Sequence, residues 1–238
     1  MPKQILGMTG VAVLAATVAG LALAARPAAD PLTVYAATSL TNVMPDIERG
    51  ATYSFGGSNT LRLQLERGAP ADLFLAAEPK EAQALYHEGR CERPVTFATN
   101  KLVLIVPRDD PAGLKSIYGL RKGGMKLSIG NAAVPIGDYT RRLLRRLRLS
   151  SVLQSNTVSQ QSNVGQVLSQ VAFGGADAGF VYTTDARTER GRVDSLYVPQ
   201  WAQPPIRYQG CVVKRAGADT RGARGLLAAL RSGRGRGV

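Results

Sequence analysis

Histidine is almost missing from this chain, with a single residue, His87, in the stretch Tyr86-His87-Glu88-Gly89. It falls within a helical pattern that also carries charged residues, where an exposed position is expected. The sequence contains no G-x-S-x-G, no P-loop, no H-E-x-x-H and no C-x-x-C, so the familiar nucleophile, phosphate-loop and zinc constellations are excluded. No enzymatic activity and no cofactor are expected. Cysteine is scarce too: Cys91 and Cys211 stand alone, too few for a metal cluster. Acidic residues are the third shortage. Seventeen Asp and Glu face 30 Lys and Arg, for a formal charge of +13, a balance that usually points to nucleic acid or to a membrane surface.

Long apolar runs are confined to one place. Ile5 to Ala25 is apolar and rich in small residues, follows the lone Lys3, and ends in an A-x-A-like pattern at Ala22 to Ala24. Residues 1–25 therefore read as a secretory signal, or as an uncut anchor, since about 20 apolar residues span a bilayer. No cysteine lies near the cleavage point, which argues against a lipoprotein. The rest is expected to work in the periplasm or elsewhere outside the cytoplasm, which argues against a nucleic-acid partner. In an exported chain, Cys91 and Cys211 are expected either to form a disulfide or to remain two buried thiols.

From about Asp30 onward, short β-rich runs alternate with helical patterns. Leu32–Thr38, Thr52–Gly57, Ala71–Ala77 and Lys101–Pro107 read as strands. Helices are expected from the first strand to about Glu48, over Ser58–Gly68 and over Pro79–Gly89. The alternation restarts with strands at Met125–Asn131, Asn156–Gln160, Ala178–Thr184 and Tyr208–Lys214, with helices between them and a last one over Arg221–Arg231. Two successive series of this kind predict two α/β lobes: residues 30–100 with 200–238, and 101–199. Tyr139–Leu149 concentrates arginine on one helical face and leucine on the other, which predicts a solvated face on a docked helix.

Open α/β sheets bind ligands where strands end and helices begin, because a helix start offers free N–H groups and the positive end of its dipole. Several junctions here carry unusual chemistry. Thr38, Ser39 and Thr41 crowd the first, and Gly56-Gly57-Ser58 forms the second, where Ser58 can cap its helix. Ala132–Tyr139 opens a third helix and Ser162–Gln166 a fourth, while Tyr182 ends a strand. Together they describe an anion clamp built from neutral donors.

These segments, in order, carry a resemblance. "AATSLTNV", "GGSNTLRLQLERGAPADLFLAA", "NKLVLIVP", "VPIGDY" and "GFVYTTDA" resemble the periplasmic molybdate-binding proteins of ABC transporters, within the bacterial extracellular solute-binding proteins. The resemblance covers nearly all of the chain beyond the amino-terminal segment. It implies an α/β, type II periplasmic-binding-protein fold, with two lobes, each a mixed sheet flanked by helices, around a ligand cleft. It further implies a monomer that grips one small tetrahedral oxyanion and delivers it to a membrane permease. By motif, Ser39 and Ser58 would each give a hydroxyl and an N–H, Ile136 and Val164 a backbone N–H, and Tyr182 its hydroxyl. Molybdenum would be met only through the oxygens of molybdate.

A donor-only shell suits molybdate or tungstate, which are fully deprotonated near neutral pH. Each hydrogen bond to a charged group contributes roughly 1.5–3 kcal/mol. Several together exceed the roughly 8–12 kcal/mol of micromolar to nanomolar binding. Sulfate or thiosulfate would be held in the same manner, and a basic surface-interaction protein without a ligand is the alternative of another class. This chain departs from the family in a shortened first helix, in Ile136 where a small residue is usual, and in its cysteine pair.

Overall fold

The computed structural model describes residues 30–232; the segment read as a signal or anchor and the Gly-Arg tail lie outside the described residues. Ten strands form two five-stranded sheets. The first half of the chain supplies β1 (Thr33–Ala37), α1 (Met44–Ile47), β2 (Thr52–Gly56), α2 (Ser58–Glu66), β3 (Leu73–Ala76), α3 (Pro79–His87) and β4 (Val95–Asn100). It continues with β5 (Leu102–Pro107), β6 (Lys126–Gly130), α4 (Pro135–Arg146), α5 (Val152–Ser155), β7 (Thr157–Gln161) and α6 (Val164–Ala172). The chain then runs through β8 (Ala178–Tyr182), α7 (Thr183–Thr188), β9 (Val193–Leu196), β10 (Ile206–Val212) and α8 (Thr220–Arg231).

The sheets repeat one plan. Their orders are β2-β1-β3-β10-β4 and β7-β6-β8-β5-β9. In each, three strands run parallel and the fourth and fifth positions pair antiparallel. β10 returns from the far end of the chain to fill the first sheet, as β5 fills the second. The chain therefore crosses between sheets twice, once through Lys101 alone and once between β9 and β10. Gln203, on the second crossing, accepts from the Leu102 N–H at 2.9 Å and donates to its carbonyl at 2.7 Å, which staples the two crossings together.

The period of two in an extended chain explains the unbroken apolar run Leu73-Phe74-Leu75-Ala76. Leu73 and Leu75 join the large core that spans both sheets, whereas Phe74 and Ala76 face a separate cluster with Leu61, Leu65 and Leu85 from α2 and α3. Cys91 and Cys211 lie in that second cluster, fully buried, and are joined as a disulfide with Cα atoms 5.9 Å apart.

One expectation changes and another is extended. The first helix does not run to Glu48: a 3-10 turn at Thr38–Leu40 is followed by the single-turn α1, with Pro45 at its start. The arginine face of α4 is solvated as expected at Arg142, Arg145 and Arg146, over buried Leu143 and Leu144, and it also makes backbone contacts. Arg141 donates to the carbonyls of Gly130 and Gly137 at 2.9 and 3.0 Å, and Arg146 donates to the Gln203 carbonyl. These arginines tie α4 to its own strand and to the second crossing.

Candidate functional site

All six parallel strands point their carboxyl ends at one cleft. From the first sheet, the end of β1 gives Thr38 and Ser39, the end of β2 gives Gly57 and Ser58, and the end of β3 gives Ala77. From the second, the segment after β6 gives Val134, Pro135 and Ile136; that after β7 gives Asn163 and Val164; and β8 ends on Tyr182. The cleft holds about 230 Å³ of free space, its open mouth included. Ser39, Ser58, Ile136, Val164 and Tyr182 all fall in this lining.

The two halves stand very close here. A Cβ on Gly57 would lie 2.5 Å from the Ser162 carbonyl oxygen, and one on Gly165 would lie 2.8 Å from the Thr38 methyl. At Gly57 only glycine lets the two backbones approach so closely.

The hydroxyls are not helix caps. The N-cap of α2 is Gly57, and Ser58 is already helical. Its Oγ instead accepts the Ala77 N–H at 3.1 Å, so its own proton is free to be donated. Ser39 Oγ lies 2.9 Å from Tyr208 Oη, which also accepts from Asn100 Nδ2 at 3.3 Å. Either hydroxyl of this pair can donate to the other; when Tyr208 donates, the Ser39 proton is free to turn towards the cleft. Tyr182 Oη and Thr38 Oγ1 are buried with no hydrogen-bond partner. An unpaired buried hydroxyl costs about 1–3 kcal/mol, a cost that an acceptor placed in the cleft would relieve.

Burial drives the Tyr182 phenol well above its ordinary range, with the neighbouring Tyr208, Tyr139, Asp185 and Glu78 adding to the effect. Burial acts on Tyr208 in the same direction, with Asp185 adding to it. The two rings meet edge to face at 5.9 Å, and both remain hydroxyl donors at any physiological pH.

The backbone supplies the remaining donors. Ser58, Ile136 and Val164 sit in the first turns of α2, α4 and α6, where N–H groups have no intrahelical acceptor. Asn163 is a true N-cap, its side chain accepting the Gln166 N–H at 3.0 Å. No charged side chain contributes to the lining, and no cluster of His, Cys, Asp or Glu suited to a metal ion occurs among the described residues. The cleft can solvate a compact anion. It holds no nucleophile paired with a base.

Sequence reasoning missed Asn100 and Tyr208, and named Thr38 without giving it a role. Thr38 had a visible signal, since it is the first of the hydroxyls crowding that junction. Asn100 and Tyr208 had none: they come from β4 and β10, which only the fold brings behind Ser39.

Comparison with known proteins fits this architecture. The family model for bacterial extracellular solute-binding proteins matches residues 32–238. The molybdate-binding protein ModA of Escherichia coli is 31% identical over 230 residues, covering 90% of this chain and 88% of that one. ModA of Mycobacterium tuberculosis H37Rv is 30% identical over 194 residues, covering 77% and 73%. Among solved structures, the periplasmic molybdate-binding protein of Azotobacter vinelandii superposes with a TM-score of 0.74 at 24% identity, covering 85% of this chain and 94% of that one. The fold is the two-lobed type II periplasmic-binding-protein architecture. The chain belongs to the bacterial extracellular solute-binding protein family, whose members capture small solutes for ABC permeases and are not enzymes.

Proposed function

We propose that this protein is a receptor for molybdate or tungstate that works outside the cytoplasm and hands its ion to an ABC permease. The observation that carries the reading is a cleft lined by neutral donors from both sheets, with Ser58 Oγ already accepting from Ala77 and Tyr182 Oη lacking a partner. Such a shell matches an ion that only accepts hydrogen bonds. Hydrogen phosphate carries a proton that needs an acceptor, and no carboxylate faces the cleft. The identity to the molybdate-binding relatives of E. coli and M. tuberculosis supports the same ion.

In this reading Ser39, Ser58 and Tyr182 give hydroxyls, and Ser39, Ser58, Ile136 and Val164 give N–H groups. Residues 30–100 with 200–238, and 101–199, are the two lobes. The ion meets the helix starts of one lobe, closure brings in the other, and the shut monomer docks on the permease. Binding thereby selects the shut population.

A thermal-shift and calorimetry panel of molybdate, tungstate, sulfate, thiosulfate and phosphate tests this on the purified protein. Molybdate and tungstate should stabilise strongly and phosphate not at all, and replacing Ser39 and Ser58 together by alanine should abolish the response. One observation favours a smaller ion: Ile136, almost fully buried, fills part of the wall. Sulfate displacing molybdate in competition would establish that second reading.

A further inference from the structure

A charged cluster lies directly behind the cleft without lining it. Glu78 follows Ala77 and is the N-cap residue of α3; it is 3% exposed. Its Oε2 is 2.9 Å from Lys80 Nζ, and its Oε1 is 3.4 Å from Arg142 Nη2 on α4. The same Arg142 nitrogen lies 2.6 Å from Asp138 Oδ2. The contact therefore runs from an element packed on the first sheet to one packed on the second.

Glu78 Oε2 and Asp138 Oδ2 are both sealed from solvent, and neither receives a directed hydrogen bond. Their cations stand within ion-pair range but out of line. The cations also reach into water, with 47% of the Lys80 side chain and 44% of that of Arg142 exposed against 4% for Glu78, so solvent screens much of their pull. Two carboxylates from separate elements therefore crowd one arginine nitrogen, and each keeps a buried oxygen that no hydrogen-bond donor meets.

We propose that Glu78 and Asp138 share one proton when the cleft is shut, forming a proton-linked clasp between the lobes, with Lys80 and Arg142 as flanking cations. These are positioning residues, since none touches the ion. The clasp deepens the receptor reading and rests on it for its binding readout.

The electrostatics run in the same direction. Burial is the main force lifting the Glu78 carboxyl to about 7; Lys80 opposes it, and Asp138 adds to it as hydrogen-bond acceptor and as like charge. The phenols of Tyr139 on α4 and Tyr182 on β8 also face Glu78, and its charge pushes both further up. In an open cleft, water would return Glu78 to the ordinary carboxylate range. A group whose affinity for a proton is higher in the shut form stabilises that form fully below its open-form pKa, and loses this effect as pH rises through the shut-form value of about 7. Closure therefore takes up a proton between roughly pH 5 and 7, a window set by one-proton linkage.

Calorimetry with molybdate and tungstate, in buffers of different ionisation heat, tests this. About one proton should be taken up per anion near pH 6 and none near pH 8, and affinity should rise by up to about tenfold per unit as pH falls from 7. Glu78→Gln and Asp138→Asn should each flatten the profile. A flat wild-type profile, or an unchanged slope in Glu78→Gln, would overturn the clasp. If no oxyanion binds at any pH, the receptor reading fails instead, and small-angle scattering of the free protein then decides. A smaller radius of gyration at pH 5.5 than at pH 8, lost in Glu78→Gln, supports the clasp; equal radii reject it.

Discussion

Ser58 and Tyr182 carry the same chemical group into the cleft, yet they differ in what they do for the empty protein. Ser58 Oγ receives the Ala77 N–H, so Ser58→Ala strands a backbone donor and should cost about 1–3 kcal/mol of stability as well as affinity. Tyr182 Oη has no partner to lose. Tyr182→Phe should therefore leave the melting temperature of the free protein unchanged or slightly raised, while weakening molybdate binding by about tenfold or more. Denaturant titrations beside calorimetry separate the two effects. A fall in stability for Tyr182→Phe would mean that its hydroxyl is already engaged. At this scale the sequence was readable where chemistry is local: Ser39 and Ser58 betray themselves by standing at strand–helix junctions. Tyr208 was not readable, because its link to Ser39 spans 169 residues and no motif surrounds it. The Glu78–Arg142 pair was hidden for the same reason, its partners standing 64 positions apart in sequence.

The elements show which signals survive folding. Buried parallel strands such as Leu73–Ala76 and Ala178–Tyr182 announce themselves as short apolar runs, because both of their faces are covered. β4 and β9 escaped notice as edge strands, only partly buried and carrying Thr or Asp and Ser at exposed positions. They are recognisable only beside their partners β10 and β5. The one-turn α5 is too short for a period to show. The helix starts call for a separate test at α6, whose N-cap side chain lies in the cleft. Asn163→Ala removes the acceptor for the Gln166 N–H and should cost about 0.5–2 kcal/mol of stability. It should also loosen the first turn that presents the Val164 N–H, lowering affinity for molybdate. Asn163→Asp keeps the cap but adds a charge facing an anion, so it should preserve stability and still weaken binding.

The molecule as a whole is two sheets of one design, joined through Lys101 and through the segment around Gln203. One covalent tie reinforces the first sheet: Cys91 and Cys211 are 120 residues apart in sequence. Closing a loop of that size removes enough freedom from the unfolded chain to contribute about 4–5 kcal/mol in the chain-entropy account. The pair is fully buried, so reductant should act only at elevated temperature or in denaturant. Paired Cys91→Ala and Cys211→Ala should lower the denaturation midpoint markedly while leaving oxyanion affinity nearly intact, since neither residue lines the cleft. Equal losses in both measurements would show that the bridge shapes the site.

The path of the chain also dictates an order of assembly. Every strand of the second sheet lies within one unbroken stretch, from Leu102 to Leu196, whereas the first sheet needs β10 between β3 and β4. A chain emerging from its amino end can therefore complete the second sheet while the first still has a gap at its fourth position. β10 fills that gap, and the same strand carries Cys211 to its partner. The last-made strand thus finishes the first-made half, and until it arrives β3 and β4 keep bare edges of the kind that invite association between chains.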